Sequence, residues 1–167
     1  EVNARLTLHH SDADPVDTLI FCLNPGLEVD QLTVNNQPAK YRRDLHLLMV
    51  DLPETMKSGD RLEVKMHYSG TVNEKLAFLD KSNQDFDVNP NFEVFRLHKR
   101  FAFLLKNFVC LTSETLWYPT TGTGYAPASP LRHNSDFTSY SLKVTTSPGL
   151  LPISQGRVNK VEEGVYE

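Results

Sequence analysis

The clearest alternation of apolar and polar positions runs over Arg61–Tyr68, with Leu62, Val64, Met66 and Tyr68 on one face and Arg61, Glu63, Lys65 and His67 on the other. A period of two is the mark of a half-buried strand. Residues 2–9 repeat it, setting Val2, Ala4, Leu6 and Leu8 against Asn3, Arg5, Thr7 and His9. Thr18–Leu23 differs, because Leu19, Phe21 and Leu23 oppose Ile20 and Cys22, so both faces are apolar. That pattern predicts an interior strand covered on two sides. In Leu27–Val34 the apolar phase flips: Leu27 and Val29 share one parity, Leu32 and Val34 the other. A bulge near Asp30-Gln31 would absorb the change. Leu45–Asp51 predicts a further strand, and Pro53–Asp60, which contains Gly59, a polar connection.

Turn residues punctuate these runs at Asp12-Ala13-Asp14-Pro15, Asn24-Pro25-Gly26, Asn35-Asn36-Gln37-Pro38 and Ser69-Gly70. Residues 71–91 are polar and patternless, which reads as a long loop. Val94–Phe108 fits two periods. Leu97, Phe101, Leu104, Leu105 and Phe108 fall at helical spacing, while Phe101, Phe103 and Leu105 alternate; its strand neighbours favour strand. Thr120–Asn134 is rich in Gly, Pro, Thr and Ser and reads as a surface loop, and Phe137–Thr146 resumes alternation through Tyr140, Leu142 and Val144. Short strands recurring with such punctuation predict an all-β antiparallel sandwich.

Composition supports that class. At 167 residues the chain suits one domain, and chains near this size bury roughly 70% of their unfolded surface. Ten prolines and eight glycines spread along it favour turns over helices. A net charge of −4 without a Lys/Arg cluster gives no footprint for nucleic acid or an anionic membrane. No apolar run reaches the roughly 18 residues of a bilayer span, so direct membrane insertion is not expected, and no signal peptide is recognisable. The chain enters a strand pattern directly at Glu1 with no initiating Met, which reads as a segment excised from a longer protein. Cys22 and Cys110 lie far apart with no Cys-x-x-Cys spacing; two buried free thiols are preferred, and one disulfide stays formally open.

Candidate chemistry is sparse. A zinc peptidase needs two histidines one helical turn apart with a glutamate between them, and no His-Glu-x-x-His run occurs. Asp85-x-Asp87-x-Asn89 begins like a calcium loop, but Pro90 stands where Gly is required and Arg96 where a bidentate Glu belongs. A solvated acidic loop is the better reading. His9, His10, His46, His67, His98 and His133 show no ligand spacing; the adjacent pair His9-His10 would point to opposite faces of a strand. There is no Gly-x-Ser-x-Gly elbow, and Gly122-Thr123-Gly124 meets Pro127 where a phosphate fingerprint wants its third Gly. Trp117, Tyr118 and Tyr125 beside a Gly/Pro loop could stack on a sugar or peptide, although a lone Trp among strands is more often core.

The order of these pieces resembles the amino-terminal β domain of the aminopeptidase-N-like zinc peptidases, the gluzincins. The resemblance is carried by Leu23-Asn24-Pro25-Gly26, then Val29–Val34, then Leu62–Tyr68 with Ser69-Gly70. Leu111–Pro119 (LTSETLWYP) and Phe137–Gly156 follow, the latter with Pro148 and with Ser154-Gln155-Gly156, where Gln155 replaces the usual Asn. Leu116–Pro119 is similar to bacterial relatives in which the peptidase-like region is fused to an ABC-type permease.

The resemblance implies a saddle-like antiparallel β-sandwich that packs on the catalytic domain of its own parent chain and walls one side of a cleft for a peptide substrate. It implies a non-catalytic single β domain over residues 1–167, lacking its last strands because family domains continue past Ser-x-Gly into another hairpin. Zinc would belong only to the missing catalytic domain, and the fragment itself would need no cofactor. The location implied is the extracytoplasmic side of a bacterial cytoplasmic membrane. Glu114 stands near the place of the family's Thr-Gln-x-Glu-like segment, with shorter spacing to Pro119, which would set Glu114, Trp117 and Tyr118 at the cleft edge. A carboxylate there could pair with a substrate ammonium. The rival reading is a free-standing extracytoplasmic β-sandwich module that binds glycan or peptide.

Overall fold

In the computed structural model, which describes residues 1–73, 102–122 and 139–167, the alternating runs find each other across one sheet. β1 (Val2–His9) pairs antiparallel with β7 (Arg61–Gly70) without a break from Val2↔Tyr68 to His9↔Arg61. This register sets Val2, Ala4, Leu6 and Leu8 beside Tyr68, Met66, Val64 and Leu62, so both apolar stripes share one face. On its other side β7 pairs with β3 (Leu27–Val34), whose register shifts between Val29 and Gln31 where the parity of the sequence flips. The predicted bulge is therefore present. It lets Leu27 and Val29 as well as Leu32 and Val34 face inward. β4 (Gln37–Pro38) closes the sheet, in the order β1-β7-β3-β4. Asn35 and Asn36 link β3 to β4 with φ of 49° and 64°, the left-handed pair that a two-residue hairpin turn requires and that asparagine tolerates.

A second four-stranded sheet has the order β10-β2-β6-β5, from β2 (Val16–Cys22), β5 (Tyr41–Asp44), β6 (Leu47–Met56) and β10 (Thr120–Thr121). Here the expectation for Pro53–Asp60 needs correcting, because β6 runs on to Met56. Its register against β2 jumps from Thr18↔Asp51 to Val16↔Met56, leaving Leu52–Thr55 looped out of the ladder. Pro53, which has no N–H to donate, falls in that unpaired stretch. The two sheets form an antiparallel sandwich. Phe21, Leu23, Leu48, Val50 and Met56 meet Leu27, Leu32, Val34, Leu62, Val64, Met66 and Tyr68 in its core, all 7% exposed or less. Burial of each such side chain contributes roughly 1.5–3 kcal/mol.

β8 (Ala102–Leu105) and β9 (Phe108–Leu111) form a hairpin around Lys106-Asn107. The strand expected over Val94–Phe108 is thus present in its described part but broken at Lys106, and residues 94–101 lie outside the described residues. So do most of the loop at 71–91, the Asp85–Asn89 segment, His98, His133, Tyr125 and Phe137. Both cysteines are free, yet only Cys22 is buried; Cys110 is half-buried beside the half-exposed Phe108 and Val109.

The chain divides into two compact units: Glu1–Phe103 with Cys110–His133, and Leu104–Val109 with Asn134–Glu167. The second holds a three-stranded sheet in the order β11-β13-β12, from β11 (Val144–Thr145), β12 (Lys160–Glu162) and β13 (Val165–Tyr166). The strand expected over Phe137–Thr146 shrinks there to Val144–Thr145 in its described part. No α-helix occurs among the described residues, and none of their helices is long and apolar enough to cross a membrane.

Candidate functional site

Three of the pieces that carry the family resemblance, Leu23–Gly26, Leu62–Tyr68 with Ser69-Gly70, and Leu111–Pro119, meet at one end of the two-sheet unit, while Phe137–Gly156 belongs to the other unit. The chain leaves β2 at Cys22 and passes through Leu23-Asn24-Pro25-Gly26 into β3, crossing from one sheet to the other. Asn24, 1% exposed, holds this crossing. Its Nδ2 donates to the carbonyls of Thr115 (2.9 Å) and Asn73 (3.2 Å), and its Oδ1 accepts from the backbone N–H of Gly26 (2.9 Å) and Asn73 (2.8 Å). Both donors and both lone pairs are used, and the partners fix which way the amide points. Its backbone N–H donates to the Leu116 carbonyl at 2.8 Å.

Arg43 supports the same crossing from β5. Its guanidinium donates through Nη1 to the Leu27 carbonyl (2.6 Å), through Nη2 to those of Asn24 (2.7 Å) and Leu23 (3.2 Å), and through Nε to that of Leu45 (2.9 Å). Burial lowers its pKa, although Tyr41 and Glu28 act the other way. The rigid fork of five donors suits this cluster of carbonyls better than a lysine would. Gly26 and Gly70 make the approach of the strands possible: a Cβ on Gly26 would run into the Thr71 carbonyl, and one on Gly70 into that of Gly26.

The third component of the arrangement is the stretch from Thr112 to Gly122. A single 3-10 turn at Ser113–Thr115, with Glu114 at its middle, is tied by Thr115 Oγ1 to the Thr112 carbonyl at 2.6 Å and ends at Leu116 in the left-handed region (φ 53°). Trp117 follows, and its carbonyl accepts from the Tyr68 hydroxyl at 3.1 Å. Thr120 and Thr121 then pair with Cys22 and Phe21, and the Cys22 thiol donates to the Gly122 carbonyl at 3.2 Å. This stretch is therefore fastened to the first sheet through Tyr68 and to the second through β10.

Burial pushes the Tyr68 hydroxyl up to about 12 and the Cys22 thiol up to about 11. Both stay protonated at neutral pH and donate to carbonyls, so neither is poised as a nucleophile or base. At the outer surface the rings of Trp117 and Tyr118 meet edge to face, with centroids 4.8 Å apart at 75°. Trp117 is half-buried and Tyr118 is 38% exposed, so the Trp reading lies between core and surface.

Among the described residues no group of three or more His, Cys, Asp or Glu side chains is placed to hold a metal ion. His10 Nε2 lies 2.7 Å from the Asp14 carbonyl, and His67 sits between Glu1 (Nε2 to Oε1, 3.1 Å) and Asp30 (Nδ1 to Oδ2, 3.2 Å) on the outer face of the first sheet. These donors do not make a zinc site. Sequence reasoning missed Asn24 and Arg43. Asn24 looked like turn punctuation, and the inward placement of Arg43 follows only from the pairing, which sets it opposite Leu48 on the face that also carries Phe21.

No protein-family profile matches the chain, and no curated protein matches it either. Among solved structures, a mutant two-domain M1 zinc metallopeptidase bound to L-tryptophan aligns over 44% of this chain and 16% of its own, at 20% identity and a TM-score of 0.39. The M1 zinc metallopeptidase from Deinococcus radiodurans aligns over 42% of this chain at 21% identity and a TM-score of 0.39. The chain is therefore similar in part to M1 zinc metallopeptidases of solved structure, and it spans 16% of the length of each.

Proposed function

We propose that this chain is the non-catalytic amino-terminal β domain of an aminopeptidase-N-like zinc metallopeptidase, within a membrane-tethered permease fusion on the extracytoplasmic side of a bacterial membrane. In that reading it packs on the peptidase domain of its own chain and shapes the peptide cleft. One observation carries it: three of the separate sequence words of the resemblance converge physically. Asn24 of the Asn-Pro-Gly crossing bonds to Thr115 and Leu116, and Tyr68, just before Ser69-Gly70, bonds to Trp117 of the aromatic-Pro word. Such convergence is what a shared scaffold for presenting the 112–119 segment would require. Glu114 would meet the substrate's free amine, with Trp117 and Tyr118 forming the cleft edge. Zinc would be held by residues of the peptidase domain.

The test is activity in two contexts. The purified chain should not turn over an aminoacyl-p-nitroanilide with or without zinc, whereas the parent protein, with a His-Glu-x-x-His helix encoded beyond Glu167, should. In the parent, Glu114→Gln should raise KM for free-amine substrates more than it lowers kcat. Turnover by the isolated chain refutes the reading.

A second reading, a free-standing glycan- or peptide-binding module, draws on the edge-to-face Trp117–Tyr118 pair with Tyr118 partly exposed. Tyr125, its third aromatic, lies outside the described residues. Saturable quenching of Trp117 fluorescence by a glycan or peptide, in the isolated chain, would favour it.

A further inference from the structure

The two edges of the first sheet are built differently. β4 is two residues long and contains Pro38, which has no N–H to offer a visiting strand. β1, at the opposite edge, pairs with β7 over its full length with no register shift and contains no proline. No described residue pairs with its outer side. Its one formal charge, Arg5, is already engaged by Glu63 at 2.6 Å. Its apolar stripe is also incomplete: Val2, Ala4, Leu6 and Leu8 are only half-buried, while their partners Leu62, Val64, Met66 and Tyr68 are buried. A further strand with the same alternation would cover that stripe and use the unpaired backbone groups.

We propose that β1 pairs antiparallel with β1 of a second copy, joining the two sheets across a two-fold axis. The sequence is complementary to itself over the greater part of β1 when the register is centred on Leu6. With Leu6 against Leu6, Ala4 meets Leu8 on the inner face, and on the outer face Arg5 meets Thr7 and Asn3 meets His9. All apolar side chains then share one side of the joined sheet, as a two-residue period demands. Of the other registers that keep this parity, the one of equal length sets Arg5 against Arg5 and is disfavoured by like charge, and those centred on Ala4 or Thr7 pair fewer residues of the strand. A strand pair alone lies at the small end of interface sizes, so the dimer is weak.

Thr7→Lys tests the register. In the monomer Thr7 stands opposite Glu63 on the exposed face, which accommodates a lysine; in the dimer the lysine would face Arg5 of the other copy. Sedimentation equilibrium should show wild-type chain in a concentration-dependent dimer. T7K should weaken it about tenfold with an unchanged melting temperature, and the double variant R5E/T7K should restore it. Hydrogen exchange supplies a second readout, because protection of the Val2–His9 amides should rise with protein concentration. A folded wild-type chain that stays monomeric up to about 1 mM overturns the proposal. So does a dimer that T7K leaves intact, or a double variant as weak as T7K.

Discussion

The two compact units are made from the same kind of chain but stabilise themselves differently. In the two-sheet unit, long strands with a strict two-residue period face each other, and every described apolar residue that is buried, except Val165, lies there. In the smaller unit the strands are two or three residues long and Val165 alone is buried to that degree, while Tyr140, Leu151, Ile153, Val158 and Val161 are between 45% and 89% exposed. Its order comes from backbone pairs, such as Thr146 N–H to the Gly164 carbonyl (2.8 Å) and the two-way pair between Asn159 and Glu167. Hydrogen bonds exposed to water contribute little net, so burial decides which unit resists unfolding.

The sharpest way to sharpen this contrast is to add one methyl group to each unit. Gly70→Ala drives a Cβ into the Gly26 backbone and should cost about 3–5 kcal/mol, enough to abolish a cooperative urea transition at 37 °C. Gly149→Ala in the smaller unit meets nothing within 4 Å, so only its left-handed backbone (φ 86°) opposes the change, by about 1 kcal/mol. Equal losses for the two variants would mean that the strand crossing at Gly26 and Gly70 is looser than its geometry.

Next in size is Asn24→Ala. Alanine removes the four amide hydrogen bonds that Asn24 makes to the Thr115 and Asn73 carbonyls and the Gly26 and Asn73 N–H groups, at a cost of about 3 kcal/mol. Chemical denaturation followed by Trp117 fluorescence should report this loss. The probe suits the question because the segment carrying Trp117 is released from the crossing.

Alkaline pH acts on the same end of the molecule. Tyr68 and Cys22 are raised to about 12 and about 11 from ordinary values of 10.0 and 9.0. The folded state therefore keeps protons that the unfolded chain releases, so this stabilisation is full below pH 9 and is lost as pH rises through 12. For Tyr68 the loss between pH 10 and 12 should be about 2–3 kcal/mol. Tyr68→Phe should flatten that part of the curve while costing about 1 kcal/mol at neutral pH through its lost bond to the Trp117 carbonyl. In the smaller unit the pair Lys160–Glu163 (2.6 Å) works in the opposite direction. Its hydrogen bond lowers the Glu163 pKa, so its contribution is present above the ordinary carboxylate range and fades as pH falls.

The same contrast explains what the sequence made legible. β1, β7 and the β3 bulge could be read because each has one face in water, so the pattern of residues records the register. β6 could not be followed past Asp51, since Pro53 looks like a terminator until the pairing shows it in a stretch that needs no N–H. The joined words of the candidate site were visible one by one, but Asn24 and Arg43 act through backbone carbonyls distant in sequence, and carbonyls have no residue identity to read. In the smaller unit, Tyr140, Leu142 and Val144 alternate as a strand would, yet only Val144–Thr145 pairs. Alternation predicts a strand only where a partner strand and a core repay the ordering of the chain.

The smallest effect tests the smaller unit most directly. Ile153 is 89% exposed and Leu151 69%, so Leu151→Ser and Ile153→Ser should each change the urea midpoint by an amount equivalent to less than about 0.5 kcal/mol. Val64→Ala, at 0% exposure, should cost about 1.5–3 kcal/mol on the same measurement. If Ile153→Ser instead matched Val64→Ala, then Ile153 would be buried in solution, and the smaller unit would possess a core that its own strands do not provide. An effect within the expected limit leaves Leu151 and Ile153 as apolar surface whose removal costs the fold nothing, which is the behaviour expected of side chains outside any core.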